Sequence, residues 1–280
     1  MRWTLVLTAA ALGGTGRAQV VTENAGVASP ELPALREALS FRDSRQVDEV
    51  RFDTQIIWSP VPTFETRTTV PLLWRDIGDN DLDGLGDVAM RCKQSLWQED
   101  DVLRSTRFAA LYELSLPTGD DDGRDAAGAT LPPKLQLGSG TLGIGGGAAF
   151  TFIHDRHRFA SELFYRHTLS HDGFDLGDRL QGNFAYWYRL SPGRFGEAPE
   201  RDPLEVRGVL ELLTNYRFES QGTIGLDDQG TEVWLAPGLQ LFGRGRVLFE
   251  GSFQFPLYQD IDDAFGRREW AAIIAIKILF

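Results

Sequence analysis

The end of the chain alternates in steps of two. Trp270, Ala272, Ile274, Ile276, Ile278 and Phe280 fall on one face of an extended strand, and Glu269, Ala271, Ile273, Ala275, Lys277 and Leu279 fall on the other, because successive side chains of a strand point to opposite sides. One face is wholly apolar and the other carries charge. The pattern recurs upstream. Val247, Phe249, Gly251, Phe253, Phe255 and Leu257 oppose Glu250, Ser252, Gln254 and Tyr258. Leu204, Val206, Leu210 and Leu212 oppose Glu205, Arg207 and Glu211, and Phe108, Ala110, Tyr112 and Leu114 oppose Arg107 and Glu113. Eleven such segments are predicted between Val50 and Phe280, with a twelfth, weaker one around Leu35–Arg42, where Glu37 interrupts the apolar face. Each is about ten residues, the length a tilted strand needs to cross a bilayer.

Alternation alone also fits a soluble sandwich. Three features favour a membrane barrel. Charges such as Lys93, Arg207 and Glu211 sit in mid-strand on the polar face. Aromatic residues gather near strand ends, at Trp58, Trp74, Trp97, Tyr188, Tyr216, Tyr258 and Trp270, as interfacial girdles do. Short and long connections alternate. The short set is 59–62, 98–103, 155–157 and 243–245, with 191–202 a longer member, and the long set is 76–84, 118–139, 170–178, 219–230 and 259–266. The expected fold is therefore all-β, a single-domain transmembrane antiparallel β-barrel of about twelve strands over residues 35–280. Short turns are periplasmic in such barrels, which puts the C-terminus in the periplasm of a Gram-negative-type bacterium.

Composition narrows the functions. With 28 basic and 40 acidic residues the net charge is −12, against the basic face a nucleic-acid partner requires. A single cysteine excludes a disulfide framework and any cysteine-based zinc site. Arg2, the apolar run Leu5–Leu12 and the small residues ending at Ala18 read as a signal peptide over 1–18. Residues 19–34 are then a periplasmic segment or one that folds into the lumen as a plug.

Several short strings carry a resemblance. Val70-Pro71 ends one segment, Gly84-Leu85-Gly86-Asp87-Val88 opens the next, Leu116-Pro117-Thr118-Gly119-Asp120 closes another, and Leu137-Gly138-Ser139-Gly140 follows across the long loop. In this order, and with the terminal Phe280, they resemble a family of bacterial outer-membrane proteins labelled as transporters of the meta-pathway of phenol degradation. The resemblance implies uptake of small aromatic or other hydrophobic compounds. The strings also have a plain structural meaning, since Pro removes a ladder donor at strand ends and Gly permits turns. Gly143, Gly145 and Gly147 share the inward face of one strand and leave room for a solute or for long side chains.

The candidate lumen-lining residues are Arg67, Arg91, Lys93, Arg107, Glu113, Glu162, Arg166, Arg207, Glu211 and Glu250. They imply either a water-filled path with an internal charge ladder or a set of ion pairs that fills the barrel, because buried charges must pair. Asp79, Asp81 and Asp83 match the opening of a calcium loop, but the twelfth position is Met90 rather than Glu. A nucleophile–base pair is not evident: Ser161 and His167 lie six residues apart on one strand face, roughly 20 Å, and no metalloprotease or hydrolase motif occurs. The expectation is a non-enzymatic, cofactor-free outer-membrane channel for small solutes, in contact with outer-membrane lipid and lipopolysaccharide. Its C-terminal strand, ending in Phe280, would be the signal to the barrel assembly machinery. The competing reading is a structural or adhesive barrel without a conducting path.

Overall fold

The computed structural model describes residues 21–28, 33–44, 47–78, 80–125, 127–170, 173–192, 204–222, 229–243, 246–261 and 267–280. The signal-peptide expectation over 1–18 and the position of Asp79 lie outside them. Thirteen strands follow in chain order: β1 Ala34–Ser44, β2 Asp48–Val61, β3 Phe64–Ile77, β4 Asn80–Leu85, β5 Ala89–Asp100, β6 Arg104–Ser115, β7 Gly143–His154, β8 His157–Thr168, β9 Arg179–Ser191, β10 Glu205–Arg217, β11 Gly230–Phe242, β12 Val247–Ile261 and β13 Arg268–Leu279. Among the described residues one 3₁₀ turn, Pro133–Leu135, lies in the long connection between β6 and β7.

Every pairing is antiparallel, and β1 closes the sheet by bonding both β13 and β2. The result is a closed ring of twelve strand positions, because β4 and β5 share one position. Leu72–Ile77 of β3 pairs with β4, and Phe64–Thr69 pairs with β5. The weak twelfth segment is a full strand, β1, despite Glu37. Closure explains it: both edges of β1 are bonded over ten or more residues, and one polar residue on the outer face does not outweigh that ladder.

Parity sorts the side chains as the alternation predicts. The outer wall carries exposed apolar residues, among them Ile274 (63% exposed), Leu163, Phe249, Phe253 and Leu257. Their inward neighbours are buried and largely polar, including Lys93, Glu162, Glu211, Gln240 and Glu250. A continuous apolar exterior of this kind marks a surface made for lipid rather than water.

Two details correct the sequence reading. Residues 76–84 are not a long loop. β3 runs to Ile77 and β4 starts at Asn80, so the hairpin extends the wall upward. Tyr258 was expected on the polar face, but a register shift between Val233 and Trp234 against β12 pairs Tyr258 with Val233, on the outer face, and Tyr258 is exposed there. An extra residue in one strand reverses the parity beyond it.

The break between β4 and β5 is held by the strings that carried the family resemblance. Gly86 N–H donates to Pro71 O at 3.0 Å, and Asp120 N–H to Leu85 O at 3.0 Å. The Asp87 carboxylate accepts from the Gly119 N–H at 3.0 Å and the Ser139 N–H at 2.9 Å. Thr118 Oγ1 accepts from the Val88 N–H at 2.9 Å. A Cβ on Gly119 would lie 2.6 Å from the Gly138 Cα and 2.7 Å from the Gly86 carbonyl carbon, so the backbones touch where only glycine fits. This knot sends the 116–142 connection inward. Leu131 and Leu135 are buried against Ile77, with Val47 and Leu82 packed on them.

Candidate functional site

The lumen is organised in two storeys. The lower one, toward the short turns, is crossed by residues 21–28. Thr22, Glu23, Asn24 and Ala25 are buried there, each 3% exposed or less. The segment has no strand partner, so its backbone donors must find partners among wall side chains. They do. Glu211 Oε1 on β10 accepts from the N–H groups of Val21 (3.2 Å) and Thr22 (2.7 Å). Glu162 on β8 accepts from Glu23 N–H at 2.9 Å, Thr151 Oγ1 on β7 from Ala25 N–H at 2.9 Å, and Glu65 on β3 from Ala28 N–H at 2.7 Å. Val21 packs on Ala160, Ala185, Trp187 and Val209. Ala25 packs among Ala109, Leu111, Ala149 and Phe164. The segment thus bridges the barrel from β10 to β3.

Glu23 anchors the crossing. Its carboxylate accepts from Arg67 Nη1 at 3.0 Å and Lys93 Nζ at 2.9 Å, with Arg91 Nη1 3.9 Å away. Lys93 also pairs with Glu65 at 3.1 Å, and Arg91 with Glu113 at 2.9 Å and Glu162 at 3.0 Å. Among the predicted lumen residues, Arg67, Arg91, Lys93, Glu113 and Glu162 therefore form one network, and Arg166 joins it through Glu113 at 3.7 Å. The others stand apart. Glu211 holds the far end of the crossing segment. Glu250 pairs with Arg36 at 2.7 Å. Arg107 binds Asp100 at 3.1 Å, and Arg207 binds Glu205 at 2.6 Å and lies 4.4 Å over the Phe242 ring, both toward the short turns.

The glycine-lined stretch of β7 is filled from the adjacent strand. Phe164 is 2% exposed. A Cβ on Gly145 would meet its ring at 2.6 Å and one on Gly147 at 2.8 Å, while the Arg91 guanidinium caps the ring at 4.1 Å. The glycines make room for packing, not for solute.

The upper storey, toward the long loops, is a cavity of about 350 Å³. Its wall includes the inward 116–142 connection. Arg75 fixes that connection by donating to Leu135 O at 3.1 Å and Gln136 O at 2.7 Å while binding Glu49. The buried Gln136 amide in turn clamps Gly123 and Leu131. Arg268 reaches this inner face through a register shift that pairs it with Ser44. On the outer rim, Asp178 accepts from the Tyr165 hydroxyl and sits 2.7 Å from His167 Nδ1. Partial burial acts to raise its carboxyl, but the hydrogen bonds from Tyr165, His167 and Thr168 prevail and hold it below the ordinary carboxylate range.

The calcium-loop residues are placed differently from the motif. Asp81 and Asp83 lie on strand β4, both exposed on its outer face, and a strand cannot wrap a cation as a loop does. Among the described residues no group of three or more His, Cys, Asp or Glu gathers as a metal site.

Sequence reasoning passed over Glu23, Arg36, Arg75, Phe164 and Trp187. Phe164 and Trp187 carry a readable signal, since each is an aromatic residue in phase with polar or charged inward neighbours (Glu162 and Arg166, Asn183 and Arg189). Glu23 carries none, because no periodicity governs an irregular segment.

No family model matches the chain, and no curated protein matches it. Solved structures do. The COG4313 outer membrane channel from Pseudomonas putida F1 aligns with a TM-score of 0.65 at 12% identity, over 89% of this chain and 94% of that one. The NanC porin aligns with a TM-score of 0.46 at 9% identity, over 87% and 98%. At such identity the first likeness shows the fold, and the chain has the architecture of an outer-membrane β-barrel.

Proposed function

We propose that the protein is an outer-membrane channel for passive passage of small solutes, normally closed by its own N-terminal segment. The observation that carries this reading is the crossing of residues 21–28. It is held by side chains of the wall and not by a strand ladder, so it can leave without unzipping the barrel. Cleavage after Ala18 would leave it as a free N-terminal tail. In this reading the long loops face outward, the short turns and Phe280 lie in the periplasm, and the C-terminal strand is the part read during assembly. Solutes enter the upper cavity, displace the crossing segment and leave among the short turns. The family resemblance adds aromatic or hydrophobic compounds as cargo, and Leu73, Leu135, Leu137 and Leu176 give the upper cavity an apolar share of its lining. No catalytic step is assigned to the barrel.

The test is single-channel recording of the mature protein and of a variant lacking residues 21–28, both refolded into planar bilayers. The expected result is small or infrequent steps for the mature protein and larger, sustained steps for the variant. Silence from both, with folded barrels demonstrated, would overturn the channel reading. It would favour a structural barrel, whose supporting observation is the density of ion pairs across the lower lumen.

A further inference from the structure

We propose that the upper cavity is a binding site for a small organic anion, a carboxylate carried on a compact apolar body. The proposal rests on the channel reading and names its solute class.

The cavity wall is basic in a chain that is acidic overall. Arg42, Arg51 and Arg75 come from β1, β2 and β3. Arg166, Arg179, Arg217 and Arg268 come from β8, β9, β10 and β13, and Lys134 comes from the inward loop. The acidic members of the same wall are Glu49 and Asp87. Whole-chain composition runs the other way, with 28 basic residues against 40 acidic. A random sample of the sequence would not line one cavity with eight cations and two anions.

The acids nearby are already engaged or shared. Glu49 serves two arginines, Arg42 at 3.0 Å and Arg75 at 3.2 Å through Nε. Asp87 is spent on the backbone donors of Gly119 and Ser139. Glu113 serves Arg91 at 2.9 Å and Arg166 at 3.7 Å. Behind the lining, Asp53 binds Arg51 and Glu232 binds Arg217, each at 2.7 Å, so the positive excess of the wall comes from acids shared between two arginines, Glu49 by Arg42 and Arg75 and Glu113 by Arg91 and Arg166. Low-dielectric walls focus such a field on the space between them.

The cations are arginines in seven of eight cases. Guanidinium forks match a carboxylate with two parallel hydrogen bonds, which a lysine cannot do. Arg51 and Arg166 keep side-chain exposures of 29% each beside their partners Asp53 and Glu113, so each leaves part of its guanidinium open to an anion in the cavity. The remaining lining supplies Pro71, Leu73, Leu135, Leu137 and Leu176. An apolar body would cover these residues, which a bare inorganic ion would leave wet. The volume suits one small molecule.

The test is calorimetric titration of the mature protein in detergent with benzoate, and with benzyl alcohol, benzylamine and inorganic phosphate as matched probes. Benzoate is expected to bind saturably, more weakly as salt rises. Benzyl alcohol and benzylamine are expected to bind at least about tenfold more weakly, and Arg51→Gln or Arg166→Gln to cost benzoate about tenfold. Equal binding of benzoate, benzyl alcohol and benzylamine, or no binding of benzoate by the folded wild type, would overturn the proposal. Phosphate competing as well as benzoate would overturn the organic part of it. Benzoate binding by a barrel that never conducts would leave this site standing while removing the channel. Conduction without benzoate binding would do the reverse.

Discussion

Glu23 and Lys93, 70 positions apart in the chain, meet at 2.9 Å inside the barrel, with both side chains nearly inaccessible. The contact belongs to the crossing segment on one side and to the wall on the other, so its loss need not harm the wall. Without Glu23, Arg67, Arg91 and Lys93 each keep a carboxylate of the wall, Arg67 and Lys93 facing Glu65 and Arg91 facing Glu113 and Glu162. Glu23→Ala is therefore expected to release residues 21–28. Removing one partner of a buried pair costs about 3–5 kcal/mol, and here that cost falls on docking of the segment. Conductance should rise toward that of the variant lacking residues 21–28, while the melting temperature of the barrel changes little. A fall in melting temperature with unchanged conductance would show that the segment is part of the barrel's core and not a closure.

The backbone knot at the β4–β5 break gives a second expectation. A Cβ on Gly138 would lie 2.5 Å from the carbonyl carbon and oxygen of Gly119, both backbone atoms that cannot swing aside. Gly138→Ala should cost about 1–3 kcal/mol by overpacking and loosen the 116–142 connection. Gly146→Ala, whose nearest neighbour would be Leu111 O at 3.8 Å, should be neutral. Limited proteolysis of the long connection reads the difference. Equal resistance in both variants would mean that the knot does not hold the loop.

Much of the wall was legible because a barrel obeys a two-residue rule, with few exceptions, on every strand. That rule places Lys93, Glu113, Glu162 and Glu211 inward and Leu163, Phe249 and Ile274 outward without any structure. It fails where an extra residue enters a strand, as at Leu257, beyond which Tyr258 changes side, and at Glu269, beyond which Arg268 turns inward. The interior was less legible. Which charges meet depends on barrel curvature and on a segment with no period of its own, so Glu23 could not be paired with Arg67 and Lys93 in advance. The upper cavity was hidden for the same reason. Its arginines are scattered over seven strands and become neighbours only when the ring closes.

The inside–outside assignment can be tested at neighbouring positions of β13. Ile274 points to lipid and is 63% exposed, whereas Ala275 is 3% exposed beside Glu250 and Ala38. Ile274→Arg places a charge on the lipid face and should cost about 2–4 kcal/mol. The alternation by itself predicts that Ala275→Arg is tolerated, but the packing around Ala275 leaves no room for a long side chain. Ala275→Ser is the appropriate comparison and should fold nearly as well as the wild type. Urea titrations in lipid vesicles give both values. An Ile274→Arg barrel as stable as wild type would mean that this face is not in contact with lipid.

Glu37 is a charged residue on the largely apolar exterior, placed at mid-height by the wall's register. It pairs with Thr54, which pairs with Val70. Trp58 lies four residues below Thr54 on β2, and Trp74 four residues above Val70 on β3, so the carboxyl group sits midway between the two aromatic belts. Thr54 donates to it at 2.9 Å, one hydrogen bond for a group that accepts several. An acidic side chain on a lipid face is unfavourable, though less so than arginine or lysine. Glu37→Leu should therefore raise barrel stability by about 1 kcal/mol or more, with conductance unchanged, since the residue does not face the lumen. Urea titration of the two proteins in vesicles checks the sign. A loss of stability on Glu37→Leu would mean that this carboxyl group has a partner across the outer surface, and that the β1–β3 face is covered by something other than lipid.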